Sequence, residues 1–137
     1  MPLKFNIHTD GGSRGNPGPA AVGVVVQDEA GQVIHQFGLT IGVTTSNVAE
    51  YQAVIQALEW ANQQAVKPDQ INFWLDSALV VHQLQGHWKI KENHLLSLAA
   101  RVHQLEDKLG IAPIYTAIPR EKNAAADAMV NQALDKC

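Results

Sequence analysis

Only one of the 137 residues is cysteine, Cys137, which excludes an intrachain disulfide and any cysteine-built metal cluster. A thiol at that position reads as incidental. No apolar run approaches the roughly 20 residues of a membrane span. Met1 leads straight toward a strand instead of a signal segment, so the expectation is a cytoplasmic protein with no membrane partner. Repeats, low-complexity tracts and linker-like stretches are also missing. A chain of this length then reads as one domain over residues 1–137, acting as a monomer. Positive charge is scarce as well: 10 Lys and Arg stand against 13 Asp and Glu, for a net charge of −3. On its face that excludes a binder of phosphate backbones that works by bulk charge. It does not exclude one that works through metal ions, because acids that hold divalent cations lower the net charge while the bound ions restore positive potential. Lys4, Arg14, Lys89, Lys91, Arg101, Arg120 and Lys122 remain for backbone contacts.

What is present begins with His8-Thr9-Asp10-Gly11-Gly12-Ser13-Arg14-Gly15-Asn16-Pro17-Gly18-Pro19. Leu3, Phe5 and Ile7 alternate with Lys4, Asn6 and His8, the period of a half-buried strand, which predicts Asp10 at or just beyond the strand's end. The glycines that follow read as a loop that offers bare backbone N–H groups to phosphate or sugar oxygens. An ordinary turn uses the same residues.

Two further β-rich runs, 20–26 and 32–41, flank Asp28-Glu29-Ala30-Gly31, good chemistry for a hairpin turn. A helix is expected over 48–63, with Asn47 as its cap, Glu50 completing a capping box, and Tyr51, Val54, Ile55 and Leu58 as its apolar stripe. A strand over 71–75 ends in Asp76-Ser77. A short helix closed by Gly86 follows, then a longer one over 93–109 stopped by Gly110, a strand over 111–118, and a last helix starting at Asn123. Three antiparallel strands followed by crossover units make an α/β fold, a mixed sheet with helices on its faces.

Four acids then stand out. Asp10 and Asp76 end strands, while Glu50 and Asp127 lie near helix starts. Should the two strands be neighbours, all four can meet where open α/β sheets bind ligands. An all-carboxylate site favours Mg²⁺ or Mn²⁺ over zinc. Its natural chemistry is two-metal phosphodiester hydrolysis, with the ions roughly 4 Å apart. Taken singly, Glu50 reads as well as half of a capping box, and Asp127 as a partner of the helix dipole.

The ordered motifs Asp10-Gly11-Gly12-Ser13-Arg14-Gly15-Asn16-Pro17-Gly18-Pro19-Ala20, Asn47-Val48-Ala49-Glu50-Tyr51, Asp76-Ser77 with Leu79-Val80-Val81, and Pro119-Arg120-Glu121-Lys122-Asn123 leading to Ala126-Asp127-Ala128 resemble the ribonuclease HI (type 1) family. The resemblance covers almost the whole chain. It implies a ribonuclease H-like fold with a mixed five-stranded sheet, and an endonuclease that cuts the RNA strand of RNA/DNA hybrids, leaving 5′-phosphate and 3′-hydroxyl ends. It further implies Asp10 as the ligand bridging two metal ions, Asp76 and Glu50 completing one shell, and Asp127 the other. Gly11, Ser13, Gly15, Asn16, Ser46 and Asn47 align with segments that touch the hybrid. Glu50 and the glycine backbone are placed to read the RNA 2′-hydroxyl. Thr45, Asn47 and Ser77 are placed to hold a DNA phosphate. Apart from the resemblance, Trp60, Trp74 and Trp88 read first as core residues, with Trp88, flanked by Lys89 and Lys91, the best candidate among them for a substrate contact. Little sequence preference is expected from such contacts.

Three departures accompany the resemblance. Gly86-His87-Trp88-Lys89-Ile90-Lys91-Glu92-Asn93 runs directly into the next helix without the basic protrusion of some bacterial members, which implies weaker hybrid binding. No histidine lies between Pro119 and Asn123, so Glu121 or water would have to assist product release. Ala78 stands where a polar side chain is frequent. The rivals fare worse: an aspartate-nucleophile phosphatase needs a second acid where Gly12 lies, and no Gly-Lys-Ser/Thr follows the glycines as a P-loop requires. A catalytically silent hybrid-binding module remains the alternative. The six histidines show no metal spacing and read as surface or packing residues, with His8, on the strand face of Asp10, the exception.

Overall fold

Alternating apolar side chains carry the first strand further than its sequence pattern predicts. In a computed structural model, which describes residues 3–136, β1 runs Lys4–Ser13, so Asp10 lies inside the strand and the first glycines continue it. The reason is pairing: Asp10 to Ser13 stand opposite Gly23 to Ala20 of β2 (Gly18–Gln27) in an unbroken antiparallel ladder. Met1, Pro2 and Cys137 fall outside the described residues, and with them the expectations attached to Met1 and to the terminal thiol.

β2 is followed by β3 (Val33–Thr44). The turn between them is the expected one, with Gly31 at φ +83° and the Asp28 carboxylate accepting from the Gln32 N–H at 2.9 Å. Both strands outrun their expected ends because hydrogen-bonded pairing continues from Gln27↔Val33 to Gly18↔Thr44. After α1 (Ser46–Gln63) come β4 (Gln70–Leu75), α2 (Ala78–Leu84), α3 (Asn93–Leu109), β5 (Ile114–Ala117), one 3₁₀ turn at Arg120–Lys122 and α4 (Ala124–Asp135). β5 is shorter than the expected 111–118. Pro113 has no N–H to give a ladder, and pairing with β4 starts at Ile114 opposite Asn72.

The sheet order is β3-β2-β1-β4-β5, with β1, β4 and β5 parallel. One face buries Phe5, Ile7, Val24 and Val26 against the expected α1 stripe of Tyr51, Val54, Ile55 and Leu58, with Leu95, Val102 and Leu105 of α3 behind. The other face receives α4, where Ala21 packs with Val130 and Leu134. α4 lies close because Gly23 and Gly38 have no side chain: a Cβ on either would run into the backbone oxygen of Ala126 or Met129. No described helix is long and apolar enough to cross a membrane.

Candidate active site

The parallel register of β1 and β4 brings the first two acids together. Their last pair is His8 with Trp74; two residues further, where β4 has ended, Asp10 and Asp76 follow on the same face of the sheet. Glu50 arrives from the opposite layer, on α1. It gets there because Gly11 lacks a side chain, as a Cβ at that position would overlap the Ala49 carbonyl and the Glu50 nitrogen. The glycine's close approach is therefore to the helix, where the sequence had suggested a ligand. Glu50 does not cap α1 either. Thr45 is the cap, its Oγ1 accepting from the Val48 N–H at 3.3 Å, while the Glu50 carboxylate accepts from the Gly11 N–H. Asn47 is exposed in the first turn.

Carboxylate oxygens of Asp10, Glu50 and Asp76 lie within 4.8 Å of one another, a group able to hold a metal ion. Asp127, on the first turn of α4, stands outside that tight set but close enough to Asp10 to affect its titration. Burial, then the charge of Asp76 and the contact with Asp127, lift the Asp10 carboxyl from near 3.8 to about 7. Glu50 is also pushed well above its usual range, by burial first and by Asp10 and Asp76 next, with the Gly11 N–H opposing. Burial and crowding thus penalise the charged forms of Asp10 and Glu50, a penalty that a bound cation would offset. Asp76 Oδ2 is buried and has no hydrogen-bond partner among the described residues. An unpaired acceptor, crowded carboxylates and an oxygen-only donor set fit a hard divalent ion.

The residues expected at the substrate fall into three groups. Ser13 and Ser46 share a hydroxyl hydrogen bond of 3.0 Å, and the Asn16 side chain accepts from the Ser46 N–H at 3.0 Å, so the glycine-rich segment is tied to the start of α1. Gly15 supplies the turn, at φ +99°. Thr45 and Ser77 serve as caps; Ser77 Oγ accepts from the Val80 N–H at 3.3 Å at the start of α2. Asn47, Trp88, Lys89 and Lys91 line a groove of about 520 Å³ with Leu95 at its base. Trp88 is 47 % exposed and packs on His82 at 4.4 Å, whereas Trp60 is packed by Phe5 and His35. His8 stacks on Trp74, and burial lowers its pKa from the ordinary imidazole range. Of the cations named above, Lys4, Arg14 and Arg101 are engaged by Glu29, Asp135 and Glu59.

Two side chains near the acids were not among the expected site residues. Asn123, expected as a helix start and quoted in the fourth motif without a role, is buried and donates its amide to the Thr9 carbonyl at 2.9 Å. Asn131 donates to the Asp127 carboxylate at 3.3 Å, one helical turn on. The i,i+4 spacing could have revealed the second; the first needed the fold.

Residues 8–133 match a family model described as reverse transcriptase-like. The crystal structure of LC11-RNase H1 in complex with an RNA/DNA hybrid, a protein isolated from compost by a metagenomic approach, superposes with a TM-score of 0.91. It is 43 % identical, over 96 % of this chain and 97 % of that one. This chain belongs to the ribonuclease HI family. Ribonuclease HI of Halobacterium salinarum is 42 % identical over 132 residues, and its structure superposes with a TM-score of 0.90 over 98 % of this chain and 99 % of that one. The bifunctional protein Rv2228c of Mycobacterium tuberculosis is 38 % identical over 134 residues. The match covers 97 % of this chain but only 36 % of Rv2228c, and 96 % of this chain against 65 % of the Halobacterium sequence. Within the ribonuclease HI fold, then, this chain has the mixed sheet, the helices on both faces and an acidic cluster at the ends of β1 and β4.

Proposed function

We propose that this chain is a ribonuclease H: a metal-dependent endonuclease that hydrolyses the RNA strand of RNA/DNA hybrids and leaves 5′-phosphate and 3′-hydroxyl ends. It would act as a single catalytic domain, monomeric and cytoplasmic. The observation that carries the reading is the convergence of Asp10, Glu50 and Asp76 within 4.8 Å, in a fold shared with a hybrid-bound relative at 43 % identity. Asp10, Glu50, Asp76 and Asp127 would hold divalent cations, with Mg²⁺ the first candidate and Mn²⁺ the second, since every donor is a carboxylate oxygen. Bound there, such ions supply an acidified water near neutral pH and neutralise charge on the leaving oxygen.

The chain's own residues do the rest. Glu50 is fixed by the Gly11 N–H, with its carboxylate turned toward those of Asp10 and Asp76. Ser13, Asn16 and Ser46 hold the glycine segment against α1, and the exposed Gly15 leaves backbone accessible to a ribose 2′-hydroxyl. Asn47 and Trp88 face one groove with Lys89 and Lys91, a seat of suitable charge and shape for a DNA strand. Thr45 and Ser77 sit at helix N-termini, which favour phosphate.

The test is cleavage of a labelled hybrid, compared with RNA and DNA duplexes, in Mg²⁺, in Mn²⁺ and in EDTA. Expected are cuts in the hybrid's RNA strand alone, none in EDTA, and none with Asp10→Asn. A hybrid bound but left intact by the wild type would refute the nuclease reading and leave a silent binding module in its place.

A further inference from the structure

Three of the four acids are placed by the sheet and by α1, but Asp127 depends on how α4 is set down. The helix is seated on β2 and β3 through Gly23 and Gly38, strands that do not carry the acids. Toward β1 its start has one buried side-chain bond among the described residues, from Asn123 Nδ2 to the carbonyl of Thr9, the residue before Asp10. Asn123 is 1 % exposed and its Oδ1 has no hydrogen-bond partner among the described residues, so this bond is the anchor of the amide. The Asn123 carbonyl in turn accepts from the Asp127 N–H at 3.1 Å. One residue thus grips β1 beside the first acid and, through its own carbonyl, the turn of helix that presents the last. At the far end Arg14 and Asp135 form only an exposed ion pair, worth little.

Asp10 and Asp127 repel when both are ionised, and a helix end free to move a fraction of an ångström would relieve that repulsion by retreating. We infer that Asn123 is a positioning residue of the acidic centre: its amide bond to the Thr9 carbonyl sets how closely Asp127 on α4 approaches Asp10 on β1. The inference rests on the nuclease reading for its catalytic consequence, though not for its structural one. Loss of the bond should spare contacts along the Asn47–Trp88 groove, because those residues belong to other elements. It should weaken the joint grip of Asp10 and Asp127 on a cation.

The experiment compares wild type, Asn123→Ala, Asn123→Ser and Leu134→Ala. Leu134→Ala removes a buried contact at the other end of α4 and serves as a control of lowered stability. Calorimetric titration with Mn²⁺, without hybrid, should show affinity at least 5-fold weaker for Asn123→Ala and close to wild type for Leu134→Ala. Hybrid cleavage, measured below each variant's unfolding transition, should show kcat down 10- to 100-fold for Asn123→Ala with KM changed less than 3-fold. Asn123→Ser keeps a smaller donor beside the carbonyl, should fall between the two, and carries the test should the alanine variant not fold. Wild-type affinity and kcat in the Asn123 variants would overturn the inference, as would equal losses in Leu134→Ala. A wild type that binds Mn²⁺ but cuts no hybrid would refute the nuclease reading, leaving the titrations to decide the role of Asn123.

Discussion

Replacing Asp10 with asparagine should make the metal-free protein more stable, and increasingly so as pH rises. In the folded state burial and the neighbouring acids raise this carboxyl from near 3.8 to about 7. Between those values the native protein keeps a proton that the unfolded chain releases, so the contribution of this group to stability is fully present below about pH 4 and is lost as pH rises to 7. Spread over that interval, the cost of ionising Asp10 reaches about 4 kcal/mol at pH 8 and falls to about 1 kcal/mol at pH 4.5. Glu50 shares the same repulsion, so removing one acid should recover part of it, about 2–4 kcal/mol at pH 8. Urea unfolding in EDTA at pH 4.5, 6 and 8 measures the gap between Asp10→Asn and wild type. Adding Mn²⁺ at pH 8 should stabilise the wild type and narrow the gap, since ligands that bind only the folded state raise its stability. A gap that does not grow with pH, or an asparagine variant less stable than wild type at pH 8, would refute the reasoning.

Gly11→Ala should destabilise the fold by about 2–3 kcal/mol, the scale of overpacking, and lower cleavage more than 10-fold, because the new Cβ meets the Ala49–Glu50 backbone; denaturation and kcat check both. Thr45→Ala should cost about 1 kcal/mol through loss of the cap. Asn47→Ala, two residues on and exposed, should leave stability unchanged while raising KM for hybrid a few-fold; urea midpoints and steady-state kinetics separate the two. Trp88→Ala should raise KM roughly 3- to 10-fold with little loss of stability, in keeping with one exposed aromatic contact. A gel-shift series with metal-free protein should show that loss at every salt concentration.

The order of elements, the apolar stripe of α1 and the limits of α3 were legible along the chain, because each rests on local periodicity, turn chemistry or a contiguous motif. Asp76 at the end of β4 and Asp127 at the start of α4 were found where the pattern implied. Misplaced were the features where a distant partner decides. The strand end at Asp10 moved because β2 continues the ladder, and Glu50 left its capping role because Gly11 of β1 offers an N–H to the helix packed on it.

By itself the sequence determined which residue types are available: four carboxylates, no cysteine cluster, and glycines at the points of closest approach. Only the tertiary structure decided that Asp10 and Asp76 meet in parallel register, that Gly11 admits a helix, and that Asn123 joins α4 to the strand beside Asp10. The physical reason is range. Propensity and periodicity act over a few neighbouring residues, whereas the acidic centre is made by contacts across 39 and 114 positions of the chain.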